Sequence, residues 1–254
     1  INFIRKYKHK LIWKCMSLNI EINEDFIEEF EDNIDWSYLF DVKKLNEDII
    51  RKYSYKDCWY NISKNQTLSE EFIRDYKDEV IWELISEKQI LSIDFIDEFN
   101  KYVVWDVICL YQKLDERIMR KYESKIDFSV ISQYQKLSER FIIDYKERVN
   151  WMDISRNQKL SLKFINRYRK FLDMEAICCY QKLDEEFIRD NSNLVFWDDI
   201  TLYHDFSINF IYEFKNKIVF FYLFMYSKKM FPKDFILEFI KYADIFDRNK
   251  VINR

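Results

Sequence analysis

The chain is 254 residues long with a formal net charge of −4 and a pI near 5.5, which disfavours a dedicated nucleic-acid binder while leaving room for a local basic patch. Glycine is absent and proline occurs once, at Pro232, so Gly-rich phosphate loops and tight primed turns are excluded. The five cysteines form no framework spacing and point to reduced thiols in a cytosolic compartment, no secretory signal is visible, and the longest apolar run, 218–226, is too short to span a membrane.

The first stretch, INFIRKYKHKLIWKCMSLN, fits the later part of a unit that then recurs every 23 residues. The chain is therefore expected to begin inside a helix, with sequence missing upstream. Counting the leading apolar residue as position 0, the unit restarts at Ile22, Leu45, Leu68, Leu91, Leu114, Leu137, Leu160, Leu183 and Phe206. All seven tryptophans (Trp13, Trp36, Trp59, Trp82, Trp105, Trp151 and Trp197) fall at position 14, and six of the seven glutamines at position 21, Gln133 alone being out of phase. Two scarce residue types do not gather this way by chance, and a fixed period of this length signals a repeat architecture.

Within each unit, positions 4, 5, 8 and 12 are apolar or aromatic, as in Phe141, Ile142, Tyr145 and Val149, and trace one face of a helix. Position 1 is always Asn, Ser or Asp, which caps a helix N-terminus, and the following positions are often acidic, which suits the helix dipole. A leading helix of about two and a half turns is predicted. Positions 14, 17, 18 and 21, as in Trp151, Ile154, Ser155 and Gln158, form a second stripe. Position 18 is mostly small, allowing close helix approach, and position 22 is often Lys, matching the carbonyl end of a trailing helix. The Gln column is expected to bond turn backbone of its own or the next unit, since a buried amide must be satisfied.

One such hairpin buries too little apolar surface to offset its ordering entropy, so neighbours must share a core. The predicted fold is all-α, an α-solenoid of about eleven stacked hairpins, in one domain spanning 1–254. A leucine-rich repeat of similar length is excluded because its Asn/Cys position reads Lys88, Tyr111, Tyr134, Tyr180 and Tyr203, with no alternating strand before it.

Units from 22 to 205 run without insertion; Asp57 at apolar position 12 and Asn191 at aromatic position 8 are the main departures. From 206 to 254 the pattern diverges. KIVFFYLFMYSKKMF is apolar on nearly all sides, the phase slips by two residues to Phe231, and Pro232 suits the first turn of a helix. A deeply packed capping hairpin is expected there, with a docking surface as the alternative.

Catalytic constellations are weak: His9 and His204 stand apart, Cys178 and Cys179 lack metal-site spacing, and acidic pairs such as Glu70 and Glu71 read as helix N-terminal charges. No enzyme, metal or cofactor is expected. The candidate partner-binding feature is a ridge from positions 20 and 22, Tyr111, Lys113, Tyr134, Lys136, Lys159, Tyr180 and Lys182, where Tyr offers contact area and Lys attracts an acidic protein segment.

The units WMDISRNQKLSLKFINRYRKF and CLYQKLDERIMRKYESKIDF resemble the tandem YQKLS-type repeats of large proteins in mimivirus-like giant DNA viruses, over nearly the whole chain. That resemblance implies a viral, host-cytoplasmic protein and carries no catalytic residues with it. The expected function is a non-enzymatic scaffold for protein–protein interaction, with a nucleic-acid-binding repeat protein or a structural virion component as alternatives.

Overall fold

In the computed structural model, residues 2–19, 23–56, 58–227 and 229–242 are described. Among them all regular structure is helical, and each period contributes one leading and one trailing helix. The chain divides into two compact units, Ile1–Asp127 and Phe128–Arg254, each an α-solenoid of stacked hairpins. In the first unit the trailing helices Trp13–Asn19, Trp36–Val42, Trp59–Asn65, Trp82–Lys88 and Trp105–Tyr111 pack each against the next. In the second, Phe128–Tyr134, Trp151–Asn157, Met174–Tyr180, Trp197–Tyr203 and Phe220–Tyr226 do the same. Residues one period apart thus become spatial neighbours.

The caps form as their residue types require. In all nine units from Asn23 to Ser207 the position 1 side chain accepts from the amide three residues on, for example Ser138 from Phe141 at 3.1 Å. The leading helices are shorter than the stripe suggests, six or seven residues, as in Glu70–Asp75. The backbone leaves helical angles at position 8, where Tyr76 has φ −115° and ψ 30°. A compact turn follows, in which the Val80 amide donates to the Tyr76 carbonyl at 3.1 Å. Position 12 is therefore carried into the core by that turn and not by a longer helix.

The tryptophans close this turn. The Trp82 indole N–H donates to the Lys77 carbonyl at 2.8 Å, and the same bond recurs at Trp13, Trp36, Trp105, Trp151 and Trp197. Their rings lie against the aromatic positions 4 and 8 of the next leading helix, Trp82 being 6.3 Å from Phe95 and 5.2 Å from Phe99 between centroids. Trp36 and Trp105 are buried and the others half-buried, so the column is a bridge between two helices and the edge of the core.

Position 18 does more than permit close approach. The Ser155 hydroxyl donates to the Trp151 carbonyl at 2.7 Å and accepts from the Asp173 amide of the next period at 3.0 Å. Ser63, Ser86 and Ser132 accept the equivalent amide, and Cys178 and Thr201 substitute for them at longer distance, 3.4 and 3.3 Å. The amide just ahead of six of the trailing helices is satisfied in this way.

The Gln column is the main seam between hairpins. Gln112 donates to the carbonyls of Ser86 at 2.8 Å and Gln89 at 2.7 Å while its oxygen accepts from the Leu91 amide at 3.1 Å. Gln66, Gln158 and Gln181 make the same three bonds. The amide partner belongs to the same unit, as expected, whereas both carbonyls come from the preceding repeat, which corrects the expectation of its own or the next unit. The reason is directional: position 21 ends the trailing helix, where the preceding helix leaves unpaired carbonyls alongside.

Two irregular positions are explained locally. Asn191 is buried, and its amide donates to the Phe187 carbonyl at 2.9 Å and to Asn166 Oδ1 at 3.2 Å; Asp57 lies outside the described residues. In the terminal hairpin Phe220 stacks on Phe239 at 4.7 Å and 7°, and Phe231 on Phe235 at 5.1 Å. The two-residue slip therefore preserves the contact that Phe206 makes with Phe210 at 4.8 Å. Pro232 sits at the cap position ahead of Lys233–Phe239, with φ −57° and ψ 145°, and not within the first turn; its extended ψ ends the preceding segment.

Candidate interaction surfaces

The trailing helices end in a row of exposed side chains. In the first unit Tyr111, the last residue of Trp105–Tyr111, is exposed with Lys113 close behind. In the second unit Tyr134, Lys136, Lys159, Tyr180 and Lys182 are all exposed on three consecutive repeats. None of those five makes an intramolecular hydrogen bond, ion pair or ring contact among the described residues. The buried Gln seam lies immediately beside them in sequence, so the ridge adjoins the side-chain bonds that join successive hairpins. Lys44, at the same position as the ridge lysines, instead donates to the Asn65 carbonyl of the following repeat.

All five cysteines are free, and Cys58, Cys109 and Cys178 are buried. Burial pushes the Cys109, Cys178 and Cys179 thiols up to about 11, which keeps them as protonated, poorly nucleophilic packing groups. Among the described residues no group of three or more His, Cys, Asp or Glu stands together as a metal site would need, and no helix is long and apolar enough to cross a membrane.

His204 takes the place of Gln in the seam. Its Nε2 lies 2.7 Å from the Cys178 carbonyl, one contact where Gln makes two to carbonyls. Burial holds its pKa below the ordinary 6.5, against the smaller opposing effect of that carbonyl. The neutral imidazole is favoured in the folded state, so its contribution is complete above pH 6.5 and is lost as the pH falls below that value through the folded pKa. Chemical denaturation across pH 5 to 8 is expected to show a smaller stability loss on the acid side for His204→Gln than for the parent chain; parallel curves would refute this reading.

A feature not anticipated from the sequence runs along the leading helices. Position 6 of one repeat pairs with position 7 of the next, 24 residues on: Lys52 with Glu28 at 2.7 Å, Arg51 with Asp75 at 2.6 Å, Arg74 with Glu98 at 2.9 Å, Lys121 with Asp97 at 2.7 Å and Arg189 with Glu213 at 3.0 Å. Arg5 pairs with Glu29 in the same way. The cation stands at position 6 in some steps and at position 7 in others, so no single residue type marks the column. Comparing residues 24 apart for opposite charge reveals it. These pairs are exposed and fix alignment more than they stabilise.

No family model matches the chain, and no curated protein or solved structure shows significant similarity to it.

Proposed function

We propose that the chain is a non-enzymatic scaffold that holds a protein partner along its stacked hairpins. The observation that supports this is the ridge of Tyr134, Lys136, Lys159, Tyr180 and Lys182, exposed and without internal partners, beside a seam in which nearly every polar group is bonded. Tyr contributes rigid contact area and Lys favours acidic segments, and a regular spacing lets several weak contacts act together. Tyr111 and Lys113 extend the same pattern in the first unit. The resemblance to giant-virus repeat proteins supports a scaffold that works in the cytoplasm of an infected host. The net charge disfavours nucleic acid as the partner.

Changing Lys136, Lys159 and Lys182 to Glu is expected to abolish capture of the partner identified by affinity purification from infected cells, with far-UV circular dichroism unchanged. Undiminished capture by this variant removes the ridge from the account. A steeply salt-dependent gel shift with single-stranded RNA, by contrast, would replace the protein partner with a nucleic acid.

A further inference from the structure

The charge pairing along the leading helices lapses twice inside the second unit: where positions 6 and 7 are Asn166 and Asp190, with no cation, and at the step before, where a cation is left without its carboxylate. Between Glu139–Asp144 and Leu162–Tyr168, position 6 is Ile143 and position 7 is Arg167, so the carboxylate that Glu28 and Asp97 supply elsewhere to a cation at position 7 is missing. Residues 160–172 carry Lys163, Arg167, Arg169 and Lys170 and no acid at all. All four are exposed, and none has a carboxylate partner among the described residues. Arg167 only lies near the Tyr168 ring, at 5.5 Å.

At this step the two helices enclose an open groove of about 460 Å³, lined by Ile143, Phe164 and Tyr168 together with Lys163 and Arg167. The other charged groups at its wall are already engaged. Arg140 pairs with Asp144 at 3.0 Å, and the Glu139 carboxylate accepts the Ser161 amide at 2.6 Å. What is left unmatched is an apolar floor with two cations over it.

We propose that this groove docks a short acidic polypeptide segment, whose carboxylate takes the place beside Arg167 that the neighbouring repeat fills elsewhere. An apolar side chain of that segment covers Ile143 and Tyr168. Charge complementarity selects the acidic partner. A polynucleotide is disfavoured because the following repeat, 183–205, holds seven acids against one Lys or Arg, Arg189, so a phosphate backbone running past the groove meets repulsion. The inference rests on the scaffold reading but on none of the ridge residues.

The test uses a fluorescein-labelled peptide of Asp and Glu around a central Phe, followed by anisotropy at about 50 mM salt, where exposed charges are weakly screened. Ile143→Glu restores the carboxylate within the chain, at a position that accepts Glu28 and Asp97 in other repeats. It is expected to weaken peptide binding at least tenfold while circular dichroism and the thermal midpoint are kept. Arg167→Glu is expected to do the same, and serves if the first variant folds poorly. The triple ridge variant at Lys136, Lys159 and Lys182 is expected to bind the peptide normally, so failure of the ridge and failure of the groove are told apart. The proposal is overturned if the parent chain does not bind the peptide, if both Ile143→Glu and Arg167→Glu bind it unchanged, or if an oligothymidylate of equal charge displaces it on equal terms.

Discussion

Replacing Gln158 with alanine is expected to lower the free energy of unfolding by about 3–5 kcal/mol, one of the two largest effects of any single side chain here. The Gln158 amide donates to the Ser132 carbonyl at 2.8 Å and the Gln135 carbonyl at 2.7 Å, and its oxygen accepts the Leu137 amide at 2.9 Å. The side chain is buried. Truncation strands two carbonyls and one amide where water enters with difficulty, and each stranded group costs about 1–3 kcal/mol. Gln158→Glu separates bonding from packing. It keeps the volume, yet a carboxylate brings no donor to the two carbonyls, so it is expected to be at least as harmful near neutral pH. Gln133 is the internal control: it is exposed and out of phase, and its alanine variant should stay within about 0.5 kcal/mol of the parent. Urea titration of the three variants measures all of this, and equal midpoints for Gln158→Ala and Gln133→Ala would remove the seam from the energetics.

Phe95→Ala is expected to cost about 3–5 kcal/mol. Phe95 is fully buried, with its ring 4.6 Å from Phe99 and 6.3 Å from Trp82 between centroids. It is thus shared by two hairpins, and its removal opens a cavity at the contact on which both depend. Trp82→Phe should be far milder, about 1 kcal/mol, because the ring is retained and only the indole bond to the Lys77 carbonyl is lost. Phe128 and Phe220 already occupy that position in other repeats. A Phe95→Ala loss no greater than that of Trp82→Phe, in thermal or urea unfolding, would contradict the shared core.

The hairpins were legible because the period multiplies weak signals. One Ser before a helix says little, whereas nine capping residues at one position say where every leading helix starts. Helix length was less legible, since an apolar residue at position 12 fits a continued helix as well as the turn that in fact carries Val80 inward. The Gln column announced itself by its regularity, but the direction of its bonds depends on which carbonyls lie beside it in space. Similarly, Ser155 reads as a small residue in the sequence and acts as an acceptor only because the Asp173 amide is brought to it. The charge pairing between leading helices stayed hidden because its sign is not constant; Lys52 with Glu28 and Arg51 with Asp75 share geometry and not residue type. The ridge residues were found as a column, and the structure places five of them, from Tyr134 to Lys182, on consecutive repeats of the second unit.

All of these contacts follow from one relation, that a residue meets its counterpart 23 positions away. Deleting 160–182 removes one whole period and brings Lys159 directly before Leu183, with every column still in phase. Deleting only 160–171 removes about half a period and sets the Gln and Ser columns against the wrong partners. Thermal unfolding followed by far-UV circular dichroism is expected to stay cooperative for the whole-period deletion, with helicity per residue maintained, and to lose its transition for the half-period deletion. Equal behaviour of the two shortened chains would contradict the account.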